Sequence, residues 1–378
     1  MENWPTAPYA YPAPVTTPLP DSPQDAQPVA PQTQPKRRRM WPVLLTLYFL
    51  SPLIAEVLSG STPPLLFIQP FGFIFIPLLY GSSAILIREI LVRRRLGWGN
   101  ALVLGAAFGV FQEALVVQTW YTFMAKSSPS HSNGFYGVWL GTNWVWALDL
   151  TIYHAVISIT IPLIWLTLIF PQRALLPGLR RRGVILFLLW LIIPCGLLAL
   201  NAAKAQFAKE GYAGPPLIGY LLACALMVTL ILVGGFARFP TPRPQPGRRA
   251  PGVWAVRGTM FGLTTLFFVL SFILPATKLP PPVMMAIAVG VFSFGVWRIA
   301  RWSACDGWSA RHWLALVMGL VAWYLLLWAP LVEFAFRLPE REGLTLANLI
   351  AMIALFVFDW RLKRRLANPT PLTPTAVA

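Results

Sequence analysis

FGFIFIPLLYGSSAILIREILVRRR, residues 71–95, decides how the rest of the chain is read. The run from Phe71 to Val92 carries apolar residues on every face, so it matches neither the striped helix nor the alternating strand of a soluble domain. At about 1.5 Å per residue its length suits the roughly 30 Å hydrocarbon core of a bilayer. Arg93, Arg94 and Arg95 follow at once and mark where that core ends. Such positive clusters are retained on the cytoplasmic side of a membrane.

The same unit recurs along the chain. Ten apolar segments are expected: Trp41 to Leu58, Phe71 to Val92, Ala101 to Met124, Trp144 to Phe170, Val184 to Ala202, Pro215 to Phe236, Val253 to Leu274, Pro282 to Ala300, Trp313 to Phe334 and Thr345 to Trp360. If they cross alternately, 24 of the 30 basic residues fall on one side, and only Lys126, Lys204, Lys209, Lys278, Arg337 and Arg341 on the other. This bias predicts an all-α polytopic transmembrane helical bundle with both termini cytoplasmic, a multi-pass protein of a cell membrane.

Composition agrees: 57% of residues are hydrophobic, 11% are charged and mean hydropathy is +0.63. A net charge of +17 would suggest nucleic acid as partner for a soluble protein. Here it reflects orientation, so the expected partners are the lipid bilayer and anionic lipid headgroups, not nucleic acid. Arg88 and Arg257, inside helix ends on the basic side, are expected to snorkel toward the headgroups. Trp41, Trp98, Trp144, Trp254, Trp313 and Trp360 sit at expected helix ends, where an amphipathic ring favours the interface.

Residues 1–40 are expected to be a disordered, proline-rich cytoplasmic tail ending in the basic stop Lys36 to Arg39; residues 41–366 form the membrane domain and 367–378 a short disordered tail. The SGSTPP stretch within residues 59–70 fits either a plain loop or a re-entrant turn. Cys195, Cys224 and Cys305 form no disulfide framework. No internal repeat is evident.

Ionisable side chains at membrane depth are the functional clue, since each costs roughly 2.5–3.5 kcal/mol near a helix centre. Glu113 lies 11 residues before the expected outer end of the third span and His154 ten after the outer start of the fourth, so both are expected about 15 Å below the outer surface. Tyr80 on the second span shares that depth. Thr151, His154 and Ser158 follow helical spacing and define one stripe. Pro162 leaves the Ser158 carbonyl without its helical donor, so another group must supply one. Gly105 and Gly109 form a GxxxG pattern that admits a close second helix. Gln112, Gln118 and Asp149 add polar groups to the cluster.

Two interpretations stand side by side. The cluster is either a set of interhelical hydrogen bonds worth about 1 kcal/mol or less each, or a site that binds or conducts a proton or small polar solute. Elsewhere, Glu89 and Arg93 are spaced to pair. Glu56 and Glu333 are expected near water at outer helix ends, and His312 is expected to be solvated. His131, with Phe135, Tyr136 and Trp139, belongs to the longest outward loop. The chain lacks HExxH, a phosphate-binding Lys loop, GxGxxG after a strand and a zinc-spaced Cys/His cluster, so no cofactor is expected.

At FQEALVVQTWY and LTIYH the chain resembles the CAAX protease and bacteriocin-processing family of intramembrane glutamate proteases. Glu113 matches the second Glu of that family's Glu-Glu pair and His154 the His of its Phe/His motif. Gln112 stands at the first Glu, Val117 at the Arg and Leu150 at the Phe; a third motif is absent, since Leu316 follows His312 by four residues. The resemblance implies that Glu113 activates water and His154 assists. The same stretches look like uncharacterised bacterial multi-pass membrane proteins. Enzyme, conductor and structural or partner-binding subunit all stay open.

Overall fold

The computed structural model describes residues 39–126, 134–272, 279–335 and 341–367. The expected tails, His131, Lys278 and Arg337 therefore lie largely or wholly outside the described residues. Helices dominate. They are α1 Trp41–Val57, a single turn α2 Pro64–Phe67, α3 Pro70–Arg94, α4 Trp98–Val116, α5 Trp144–Ile169, α6 Arg181–Phe207, α7 Leu217–Phe236, α8 Val253–Phe272, α9 Pro281–Ser303, α10 Ala310–Ala335 and α11 Leu344–Ala367. Among the described residues, nine are long and apolar enough to cross a bilayer, and α1 is a shorter apolar helix just under that length. The fold is an all-α polytopic bundle. Among the described residues, strands are confined to the hairpin β1 Val138–Trp139 with β2 Thr142–Asn143, and the parallel pair β3 Gln245–Arg249 with β4 Cys305–Asp306.

Burial separates centre from periphery. Within its most apolar window α5 is 83% buried and α4 72%, whereas α6 is 11% and α7 and α9 are each 17% buried. The leucine- and isoleucine-rich faces of the outer helices suit acyl chains. At the centre, α4 and α5 meet through the GxxxG pair: a Cβ on Gly105 would lie 2.9 Å from Ala155 Cα, and one on Gly109 3.0 Å from His154 Cβ. Glycine is required there by close approach. Likewise α1 meets α3 where Gly81 packs on the Tyr48 carbonyl, the group that Pro52 leaves without a helical donor.

The third span ends earlier than its apolar run suggests, at Val116 and not Met124. The Val117 amide reaches back to the Gln112 carbonyl at 2.8 Å in a widened π-helical turn, and Gln118 then adopts a left-handed φ of 61°. That conformation stops the helix. The chain folds back as turns that bury Trp120, Tyr121 and Phe123. Residues 59–70 form a turn followed by α2, whose Leu65 side chain is exposed.

Three charged groups also differ from expectation. Arg88 does not snorkel: it is fully buried, donating to Glu89 at 2.8 Å and to the carbonyls of Arg173, Ala174 and Leu176 at 3.1, 2.9 and 2.6 Å. Those carbonyls belong to the tight turn after α5 and offer inward acceptors that suit a planar guanidinium. Arg257 is likewise turned inward onto Asp359 at 2.7 Å, and Asp359 also receives Arg311 at 2.9 Å. His312 is buried, not solvated, because it closes the first turn of α10 on Ser309 and reaches the Pro251 carbonyl, each at 3.0 Å. The expected Glu89–Arg93 pair forms at 3.1 Å. Glu333 accepts the Gly343 and Thr345 amides at 2.9 and 2.7 Å, capping α11.

Candidate functional site

Three helices loosen at one place. In α1 the last turn, Leu53–Val57, is π-helical and presents Glu56; in α4 the π-helical stretch Phe111–Val116 presents Gln112 and Glu113; in α5 the stretch His154–Thr160 presents His154 and Ser158. A π turn inserts an extra residue and re-aims its side chains, a device concentrated at functional sites. Proline contributes in two of the three, with Pro52 just before the α1 turn and Pro162 just after the α5 turn. The Ser158 carbonyl receives its donor from Ser51 Oγ of α1 at 2.7 Å.

The side chains form two neighbouring hydrogen-bonded sets. His154 Nε2 lies 3.0 Å from Glu113 Oε1, and His154 Nδ1 lies 2.8 Å from Ser158 Oγ. Glu113 Oε2 accepts from Thr119 Oγ1, which in turn accepts from the Trp146 indole N–H at 3.2 Å. Beside this pair, Tyr80 accepts from Gln112 Nε2 and donates to Glu56 Oε1, while Glu56 Oε2 accepts from Thr62 Oγ1 at 2.6 Å. The rings of Tyr80, Phe108 and Tyr153 stand 5.9, 5.4 and 5.3 Å from the imidazole. His154 is 1% exposed and Glu113 7%, so bulk water screens neither.

This geometry can hold a proton in more than one place. With Glu113 ionised and His154 protonated, both ring nitrogens donate, Nε2–H to the carboxylate and Nδ1–H to Ser158; with the same proton on Glu113, the carboxyl donates to Nε2 and Nδ1–H still donates to Ser158. The heavy atoms need not move between these states. Among the described residues, the two carboxylates and the imidazole bond one another or hydroxyls, with no permanent cation hydrogen-bonded to them. Among the described residues, no group of three His, Cys, Asp or Glu side chains is arranged to hold a metal ion.

Sequence reasoning foresaw part of this set. Tyr80, Gln112, Glu113, His154 and Ser158 come together. Gln118 does not join them: it bonds the Ala199 carbonyl and the Tyr212 hydroxyl at 2.8 and 2.7 Å, because the chain has turned away after Val116. Thr151 donates to the Ala147 carbonyl of its own helix at 2.7 Å. Asp149 is buried on another part of α5, with Ser271 of α8 as its polar neighbour. Glu56, Thr62, Thr119 and Ser51 were missed. For Glu56 the available signal was a carboxylate inside the apolar run of the first span; it is half-buried, and Thr62 of the turn after α1 bonds it.

Fold and site together define a multi-pass helical membrane protein with a buried carboxylate–imidazole cluster. The sequence matches an uncharacterised membrane protein family over residues 44–242, just over half of the chain, and the chain belongs to that family. The matched stretch includes every residue of the cluster. Searches of curated proteins and of solved structures return no significant match.

Proposed function

We propose that this protein binds and passes a proton, alone or with a small polar solute, through the cluster of Glu56, Glu113 and His154, in a bacterial cell membrane with its arginine-rich side in the cytoplasm. The observation that carries the reading is the convergence of three π-helical turns where His154 meets Glu113 at 3.0 Å, with Glu56 bonded to Tyr80, whose ring stands 5.9 Å from the imidazole. Holding two negative charges at membrane depth, one of them on the buried Glu113, against a single titratable base is unfavourable. The cluster therefore favours retention of a proton, and the Glu113–His154 contact gives that proton two sites. In proteoliposomes carrying a trapped pH dye, an imposed potential should drive acidification that is abolished by Glu113→Gln and by His154→Ala. Equal flux in wild type and both variants would remove the pair from any pathway.

A second reading, an intramembrane glutamate protease, is supported by one feature: Glu56 brings a second carboxylate to the Glu113–His154 pair, although from α1 and not from the position of Gln112. In that case Glu113 would act as base on a water molecule. Cleavage of a membrane-embedded peptide by wild type, lost with Glu113→Gln, would favour it. Variants that lower thermal stability while leaving flux and cleavage unchanged would make the cluster a structural element.

A further inference from the structure

On the arginine-rich side of the molecule α5, α8, α9 and α10 line a cavity of about 420 Å³ that reaches inward as far as Tyr153. Its wall is apolar almost throughout, including Ile157, Ile161, Met260, Phe267, Val291 and Ile299. Along α9 it runs from Ser303 to Val291, and along α5 from Ile164 to Ile152. Twelve residues of helix correspond to about 18 Å. Half of a roughly 30 Å hydrocarbon core is about 15 Å, so the cavity has the depth of one leaflet.

At its arginine end it adjoins a second, polar cleft. The two share Pro240, Thr241, Pro242 and Ala300 as a common wall, and the cleft is lined by Arg243, Arg248 and Arg301. Asp306, the nearby carboxylate, accepts the Gly247 amide at 2.7 Å and holds the β3–β4 ribbon in place. Arg301 lies against the Trp297 ring at 5.3 Å, and Arg248 reaches Gln245 at 3.4 Å. Three guanidiniums above a leaflet-deep apolar cavity match a molecule that is anionic at one end and hydrocarbon at the other.

We infer that this paired cavity is a binding site for one anionic phospholipid of the leaflet on the arginine side, its phosphate held by Arg243, Arg248 and Arg301 and one acyl chain lying in the apolar cavity. The chain terminus would reach Tyr153, whose ring borders both the cavity and His154. The site differs from a diffuse attraction of basic loops to headgroups, because the hydrocarbon part is bound as well.

The test is native mass spectrometry of the full chain titrated with phosphatidylglycerol, phosphatidylcholine or glycerol 3-phosphate. One copy of phosphatidylglycerol should bind at least about tenfold more tightly than the other two. Removing the arginines as R243Q/R248Q/R301Q should weaken binding about fivefold per residue, on the order of a hundredfold together, while the corresponding triple lysine variant retains most of it. Ala300→Phe at the shared wall and Val296→Trp deeper in should each block the chain and weaken binding at least about tenfold. Equal affinity for phosphatidylcholine, glycerol 3-phosphate binding as tightly as the lipid, or unchanged binding in either cavity-filled variant would overturn the assignment.

Discussion

Two kinds of buried charge occur in this bundle, and their difference separates architecture from chemistry. On the arginine-rich side each carboxylate faces two guanidiniums: Glu89 receives Arg88 and Arg93, and Asp359 receives Arg257 and Arg311. In the cluster the ratio is reversed, with Glu56 and Glu113 beside the single imidazole of His154. A guanidinium stays charged at any physiological pH, so the first arrangement is fixed. In the second, a proton can pass between the Glu113 carboxylate and the His154 ring across 3.0 Å without repacking.

The largest effect should come from breaking a fixed pair. Arg88→Met leaves the buried Glu89 with the exposed Arg93 as its one cation beside the Gly178 amide and strips donors from three carbonyls; it should cost about 3–5 kcal/mol in detergent unfolding, equally at pH 6 and pH 8. Next, Gly105→Val forces side-chain atoms onto the Ala155 backbone and should cost about 3 kcal/mol, with the separation of His154 from Glu113 visible as lost proton flux in the same proteoliposomes. Ser51→Ala, which deprives the Ser158 carbonyl of its donor, should cost roughly 1–2 kcal/mol by thermal melt. The smallest stability change belongs to Glu113→Gln, within about 1 kcal/mol, because the amide can still bond His154 and Thr119. A loss of stability from Glu113→Gln as large as that from Arg88→Met would erase the contrast.

The bundle itself was legible because lipid imposes simple rules: apolar runs such as Phe71 to Val92 have a required length, and arginine clusters mark their ends. Glu113 and His154 were legible for the same reason, since an ionisable group in such a run stands out, and Gly105 with Gly109 announced the close α4–α5 contact that joins them. What the sequence concealed depends on where the backbone departs from a straight helix. The run through Met124 stays apolar after the helix has ended at Val116, so the early stop that brings Thr119 onto Glu113 left no mark in hydropathy. Arg88 followed a general preference for headgroups that inward-facing carbonyls override. Glu56 reads as a residue near a helix end, and only the fold of residues 59–70 places Thr62 over it.

The bond from Ser51 to the Ser158 carbonyl also bears on biosynthesis. The first span leaves the ribosome about a hundred residues before the proline-broken span that needs its hydroxyl, so α1 must remain available beside the insertion machinery until α5 arrives. Until they dock, α5 carries an unsatisfied peptide group in hydrocarbon, a condition that quality-control proteases could detect. The joint that frames the cluster is thus also a checkpoint for assembly.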